Sequence, residues 1–295
     1  MARTAHYENP MTLAPPDGSR DRRIEIPSNL WLIHPAGRAL LPLALARGVS
    51  ANSVSIAGLC LGGAAALAYT QWGNSALALV GLVLSMGWLI ADGLDGMVAR
   101  ATKTASPLGR MLDGLCDHGV FALIYVSLAI TINTPEGWVL AFAAGGAHAV
   151  QSNMYEGERS RFHRRIKGVA LEAPPVPTGN ALVRFYDGIA SSIDRIAMPF
   201  ERTLGQSTDP VALGALYGAR AVAPLRFMAL LTANVRVWAI FVACFAGNPR
   251  IFWWFEIVPL TLVAIVGLVW HRRVERAFVH STMSRPKTAS RMHLS

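Results

Sequence analysis

The sequence predicts an all-α integral membrane protein, with six transmembrane helices preceded by an interfacial amphipathic helix. Of the 295 residues, 53% are hydrophobic and only 15% are charged, and the mean hydropathy is positive, a balance that fits a polytopic membrane chain. Six apolar stretches, near 53–72, 75–95, 108–132, 137–156, 222–246 and 251–271, approach or exceed the roughly 20 residues needed to cross a hydrocarbon core of about 30 Å. The connections between them alternate in charge. The links around Gly73, Pro135 and Gly247 hold only Arg250 among basic residues, while the other side collects nearly all the Lys and Arg. By the positive-inside rule both termini then face the cytoplasm. The expected place is the cytoplasmic (inner) membrane of a bacterium.

The net charge of +9 would suggest nucleic acid if it formed a stripe on a soluble fold. Here the basic residues lie between apolar segments, which suits anionic lipid headgroups, and no nucleic-acid partner is expected. Cys60, Cys116 and Cys244 are scattered through apolar runs, so neither a disulfide framework nor a zinc site is predicted.

In chain order, residues 1–27 are polar, contain Pro10, Pro15 and Pro16, and lack the apolar core of a signal peptide; they are expected to form a disordered cytoplasmic tail. A membrane domain follows over 28–272. Ser28 or Asn29 is placed to cap a helix running to Arg47, with Pro42 inside it. Arg38 and Arg47 beside Trp31, Leu40 and Leu45 fit a helix lying in the interface.

The first span carries Gly58 and Gly62, a GxxxG spacing that serves either a close helix contact within the subunit or a dimer seam. Gly145 and Gly146 in the fourth span carry the same two readings. A cytoplasmic insertion, 157–220, opens with Arg159, Arg161, Arg164, Arg165 and Lys167 and breaks at Pro174, Pro175 and Pro177. After the break, Leu182, Ile189, Ile193, Ile196 and Phe200 recur at helical spacing. This amphipathic helix is read as attached to the membrane surface, with packing over the site as the alternative. Residues 273–295 are expected to be a solvated basic tail.

The stretch that carries chemistry is Asp92-Gly-Leu-Asp95-Gly96-Met-Val-Ala99-Arg100, eight residues, then Gly109-Arg-Met-Leu-Asp113-Gly-Leu-Cys-Asp117. Asp92 and Asp95 are three apart, and Asp113 and Asp117 four apart, so each pair occupies one helix face. Gly96 and Ala99 continue the first face, and Gly109 precedes Asp113 by one turn. Four carboxylates converging from two helices suit hard divalent cations that bridge to phosphate. Two ions about 3.5–4 Å apart clamp a phosphoryl centre between attacking and leaving oxygens. A solvated acidic helix end is the bland alternative, but ionisable groups at a membrane edge are costly and usually functional.

This pattern, DxxDGxxAR, eight residues, GxxxDxxxD, resembles the signature of the CDP-alcohol phosphatidyltransferase family, with all eight specified positions present. At residue frequencies of roughly 5–8% each, the chance match is on the order of 10⁻⁹ to 10⁻¹⁰ per starting point. The resemblance implies that Asp92, Asp95, Asp113 and Asp117 ligate two divalent ions, Mg²⁺ or Mn²⁺, and that Asp117 is also the general base. It implies that Gly96, Ala99, Arg100, Ser106 and Gly109 line the site of a CDP-linked donor, that an acceptor hydroxyl displaces CMP, and that the protein is a homodimer. The donor is expected to be CDP-diacylglycerol and the acceptor a polar alcohol or alcohol phosphate. The reverse arrangement, a CDP-linked headgroup with diacylglycerol or another lipid alcohol as acceptor, shares the same motif.

The segment Ser50-Ala51-Asn52-Ser53-Val54-Ser55 resembles the family's P-N-x-hydrophobic-T start of the first span, with Ala51 in the place of proline. Asn52 is read either as a nucleotide contact or as a helix cap. For the acceptor, His148, Ser152, Tyr155 and Arg159 recur on one face of the fourth span; they form an acceptor stripe or an interhelical polar seam. Arg236, deep in the fifth span, needs a partner or a water-filled cavity, and an acceptor phosphate and a structural carboxylate both answer that need. His118 is expected to point away from the site. A divalent-cation transporter is the rival from another class, but its ligands belong nearer the midplane.

Overall fold

The computed structural model describes residues 21–171 and 197–283. Among them there are only helices and their connections. A π turn, Asn29–Ile33, leads into α1 (His34–Ala46), followed by α2 (Ala51–Tyr69), α3 (Ser75–Ala101), α4 (Pro107–Ile132) and α5 (Pro135–Arg165). After α6 (197–205) come α7 (Pro210–Met228), α8 (Ala233–Phe245), α9 (Arg250–Phe255) and α10 (Thr261–Met283), the last two joined through a π turn at Glu256–Leu260. Pro259 lies in that turn and has no N–H for the regular helical ladder.

Among the described residues, four helical stretches are long and apolar enough to cross a membrane: Ala51–Tyr69, Ser75–Ala101, Leu112–Ile132 and Arg250–His280. Pro210–Leu231 with Ala233–Phe245 makes a fifth if the broken pair counts as one span. The stretch expected as the fourth span lies in α5. That helix has 31 residues, ample for a crossing, but His148, Gln151, Ser152 and Asn153 dilute its apolar content.

Contacts divide the chain into two compact units. The first holds the described residues up to Ala149 together with Leu231–Thr261. Its core follows from helical periodicity. On α4, Val120, Phe121, Ile124, Tyr125, Leu128 and Ala129 recur one turn apart and are all buried. They meet Trp88 and Leu89 of α3, Val237 and Ile240 of α8, and Phe252 and Trp253 of α9. Leu67, Leu79, Val83, Ile130 and Phe142 remain exposed, a cost in water and none in acyl chains.

The GxxxG question is decided within this unit. A Cβ on Gly62 would stand 2.3 Å from Val120 Cγ2, and one on Gly58 3.3 Å from Ala91 Cβ. Both glycines therefore serve the seam of α2 with α3 and α4.

Side chains cap several of the helices, and none of these caps is one the sequence singled out. Ser50, Asn74 and Ser106 cap α2, α3 and α4 through their side chains. Ser28 and Asn29 do not cap; Ser28 Oγ and Asn29 Oδ1 accept from Asn234 Nδ2 at 3.0 and 2.8 Å. Residues 1–20 of the expected tail lie outside the described residues, but 21–27 pack, with Ile24 buried and Glu25 accepting from Asn29 Nδ2 at 2.8 Å. Arg250, the lone base on its side of the charge alternation, is paired with Glu136 at 3.1 Å.

The second unit contains the described residues of Val150–Leu230 and those from Leu262 onward. Phe162, Phe200, Leu204, Tyr217, Leu225 and Phe278 are buried in it. Most of the amphipathic helix expected after Pro177 lies outside the described residues. Its end, 197–205, docks into the protein rather than lying on a surface, because Phe200 packs on Tyr217 at 4.7 Å and Glu201 is buried. The basic tail expected from residue 273 is helical through Met283, with Glu275 and Phe278 inside.

Candidate active site

Three antiparallel rungs join α3 to α4. On α3, Trp88, Asp92 and Asp95 follow one another at intervals of four and three; on α4, Asp113, Asp117 and Phe121 follow at four and four. The carboxyl of Asp95 lies in hydrogen-bonding reach of Asp113, and that of Asp92 in reach of Asp117. Trp88 meets Phe121 edge to face at 5.2 Å. Carboxylate oxygens of Asp92, Asp95 and Asp113 all fall within 4.8 Å of one another. The spacing of the acids along two helices, legible in the sequence, thus becomes one cluster because the helices run in opposite directions.

Two donors outside the acidic signature hold these carboxylates. Ser55 Oγ of α2 donates to Asp95 Oδ2 at 2.5 Å. Trp88 Nε1 donates to Asp117 Oδ1 at 3.1 Å. Sequence reasoning passed over both as side-chain donors, although Trp88 stands four residues before Asp92 and so shares its face.

The residues expected around a nucleotide divide into two groups. Ser50 Oγ accepts from Ser53 N at 3.1 Å and caps α2, so Asn52 is not the cap; its Oδ1 is 3.7 Å from where a Cβ on Gly109 would lie. Ser106 Oγ is 3.2 Å from that same point and accepts from Gly109 N at 3.0 Å. Asn52, Ser106 and Gly109 therefore come together. On α3, Arg100 folds back over Gly96, where a Cβ would stand 3.2 Å from its Nη1. Gly96 leaves room for a guanidinium near Asp95.

The residues expected at the acceptor fall in both units, His148 and Arg236 in the first. His148 is buried against Phe121 at 4.2 Å, with Nδ1 3.8 Å from Glu256. Arg236 is answered by a structural carboxylate: its Nε donates to Glu256 Oε1 at 2.9 Å, and its Nη1 donates to the carbonyl of Leu231, at the break before α8. An arginine so engaged braces a broken helix. Ser152, Tyr155 and Arg159 belong to the second unit; Tyr155 is buried, and Arg159 pairs with Glu156 at 3.5 Å. His118 is exposed, and its Nδ1 donates to the Gly114 carbonyl at 2.8 Å.

A second cluster has metal-like spacing. Glu158, His271 and Glu275 also offer atoms within 4.8 Å of one another. Here the donor set does not fit a cation. Arg161 and Arg272 already bind Glu158, and Arg165 and Arg272 bind Glu275. Like charge and occupied lone pairs exclude a divalent ion. The aspartate cluster is the reverse, with oxygen donors in excess and Arg100 the single basic group the signature places beside it, and it fits a hard cation.

No curated protein matches the chain. A family model described as CDP-alcohol phosphatidyltransferase matches residues 49–178, a segment that contains Ser55, Trp88, all four aspartates and the residues gathered around Gly109. That segment is similar to the CDP-alcohol phosphatidyltransferases, a family of membrane enzymes that transfer a substituted phosphate group from a CDP-alcohol to an alcohol in phospholipid synthesis and use a divalent metal.

Proposed function

We propose that the protein displaces CMP from CDP-diacylglycerol with the hydroxyl of a polar alcohol or alcohol phosphate. The observation that carries this reading is the pair of acidic rungs between α3 and α4, Asp95 with Asp113 and Asp92 with Asp117. Asp92, Asp95, Asp113 and Asp117 would hold two divalent ions, Mg²⁺ or Mn²⁺, which when bound supply positive charge to the donor diphosphate and to the developing oxyanion. Asn52, Ser106 and Gly109 on one side, and Gly96, Ala99 and Arg100 on the other, would take the cytidine diphosphate, Arg100 opposing phosphate charge.

Asp117 then accepts the proton of the acceptor hydroxyl. The freed oxygen attacks the phosphorus that carries the diacylglycerol, the new P–O bond forms, and the P–O bond to CMP breaks with its electron pair on CMP. A carboxylate is a far weaker base than an alkoxide, so Asp117 must act where positive charge stabilises the alkoxide as it forms. No residue need become covalently phosphorylated.

The layout that goes with this reading has six spans, α5 supplying the fourth, an interfacial helix at α1, and the acids on the cytoplasmic side with the termini. Exposed Leu40 and Leu43 on α1, with Trp31 exposed in the turn before it, favour an α1 lying in the interface. A homodimer is part of the reading through the family alone.

The test is incubation of purified protein, with and without Mg²⁺, with radiolabelled CDP-diacylglycerol and a panel of alcohols, followed by lipid chromatography. A new labelled phospholipid that requires one alcohol and the metal is expected. A labelled phospholipid formed only from radiolabelled diacylglycerol and a CDP-linked headgroup would assign the reverse arrangement. Donor-independent Mg²⁺ flux in vesicles, lost in Asp92→Ala, would replace the enzyme with a transporter.

A further inference from the structure

We propose that Trp88 is a positioning residue that fixes the carboxylate plane of Asp117 through its indole N–H. The inference rests on the reading of Asp117 as base and metal ligand.

The geometry leaves the indole little freedom. Trp88 is 2% exposed, so it is not one of the interfacial tryptophans whose N–H faces headgroups. One side of its ring lies against Gly58 of α2, where a Cβ would come within 3.5 Å of Cδ1, and Phe121 of α4 meets it edge to face at 5.2 Å. Nε1 is a donor and nothing else, and its partner is Asp117 Oδ1 at 3.1 Å.

Why this matters follows from the freedom of an aspartate. The terminal torsion of Asp is broad, so a carboxylate with no fixed donor presents its lone pairs over a wide range. With Oδ1 held by Trp88, the direction of Oδ2 is set, and Asp117 must serve two purposes with what remains. Asp92 of the same rung has its position set by the same helix, four residues on from Trp88. The indole thus ties the orientation of the base to the helix that carries two other acids. Partners that orient ligands in this way are typically worth 10–100-fold in metal affinity or activity.

The experiment uses the full-length protein in detergent or lipid. Trp88→Phe keeps an aromatic ring against Phe121 and removes the donor. A second variant, with β-(3-benzothienyl)alanine incorporated at position 88, keeps the indole's shape and replaces N–H by sulfur, so it reports the hydrogen bond even if Phe leaves a packing defect. At saturating Mg²⁺, both are expected to lower kcat about 10- to 100-fold with KM for CDP-diacylglycerol within about two-fold. Substrate-free Mn²⁺ binding, followed by paramagnetic resonance, is expected to weaken about 10-fold in both. In an Asp117→Ala background, which leaves the indole N–H no side-chain oxygen at 117 to orient, Trp88→Phe should weaken Mn²⁺ binding no further.

Full kcat and full Mn²⁺ affinity in the benzothienyl variant would overturn the role of Trp88 while leaving that of Asp117 standing. Equal added loss in both backgrounds would overturn it too, by assigning Trp88 to packing alone. Near-normal turnover in Asp117→Asn alone would instead remove the reading on which the proposal rests.

Discussion

Carboxylates repel, and four of them drawn from two helices into two hydrogen-bonding pairs are unfavourable without compensating charge. Arg100 provides some, and Ser55 and Trp88 provide hydrogen bonds, but one guanidinium does not balance four acids. The residue-scale prediction follows from the division of labour. Asp92, Asp95 and Asp113 hold the donor, so Asp117→Asn is expected to abolish turnover, by at least about 100-fold for loss of a general base, while CDP-donor binding stays near normal. Calorimetry with the donor and a CMP-release assay check the two halves. Near-normal CMP release would take the base role from Asp117.

At the scale of elements, α2 is held against α3 and α4 by absent side chains. Gly62 faces Val120 so closely that a Cβ would stand 2.9 Å from Val120 Cβ and nearer to both its methyls. Val120 is β-branched and has little rotamer freedom in a helix. Gly62→Ala is therefore expected to cost about 1–3 kcal/mol by overpacking, read as a lower unfolding midpoint, with Val120→Ala in the same chain restoring much of it. No restoration would move Gly62 to a contact outside the subunit.

The second element-scale prediction concerns α6. Glu201 receives Arg164 at 2.7 Å, Arg165 at 2.8 Å and the Leu171 N–H at 2.7 Å. Burial raises the Glu201 carboxyl, but hydrogen bonding from Arg164 and the charge of Arg165 outweigh it, so its pKa falls from 4.5 to about 2. A depressed folded pKa gives stability that is present above about 4.5 and lost as pH falls towards about 2. Glu201→Gln should mimic the acid form at neutral pH and leave buried Arg165 one carboxylate short, a loss of roughly 3 kcal/mol. Limited trypsin cleavage at Arg202 is expected to quicken in the variant and, using an acid-stable protease, in the wild type below about pH 4. Unchanged cleavage in the variant would mean that Phe200 and Leu204 hold α6 by themselves.

For the whole molecule, the question is which side of the membrane the acids face. Basic residues flank the helix ends that carry the acids, and the one base on the opposite side, Arg250, is neutralised by Glu136. Single cysteines at Thr102 and Gly168 are expected to react with an impermeant thiol reagent only from the cytoplasmic side, and one at Glu136 only from the other. Labelling of Thr102 from outside would invert the arrangement and deny the site access to cytosolic CDP-donors.

The sequence by itself determined the helical class, the apolar stretches and the acidic cluster, because each is a local pattern: composition, the 3.6-residue repeat, and acids three and four apart on a face. It also determined that Arg236 needed a partner, since a buried guanidinium cannot stand alone. The tertiary structure alone decided which partner, because Glu256 lies 20 residues away on another element. It likewise decided that Gly58 and Gly62 face inward, that Asn52 is free of capping because Ser50 takes that task, and that residues 273–280 continue a packed helix. Above all it decided the rungs. The order Trp88, Asp92, Asp95 and the order Asp113, Asp117, Phe121 are visible in the chain, but pairing the first of one with the last of the other requires two helices lying antiparallel in a fixed register. Register is set by packing between distant segments, here by Gly58 and Gly62 against Trp88 and Val120, and no pattern within either helix specifies it.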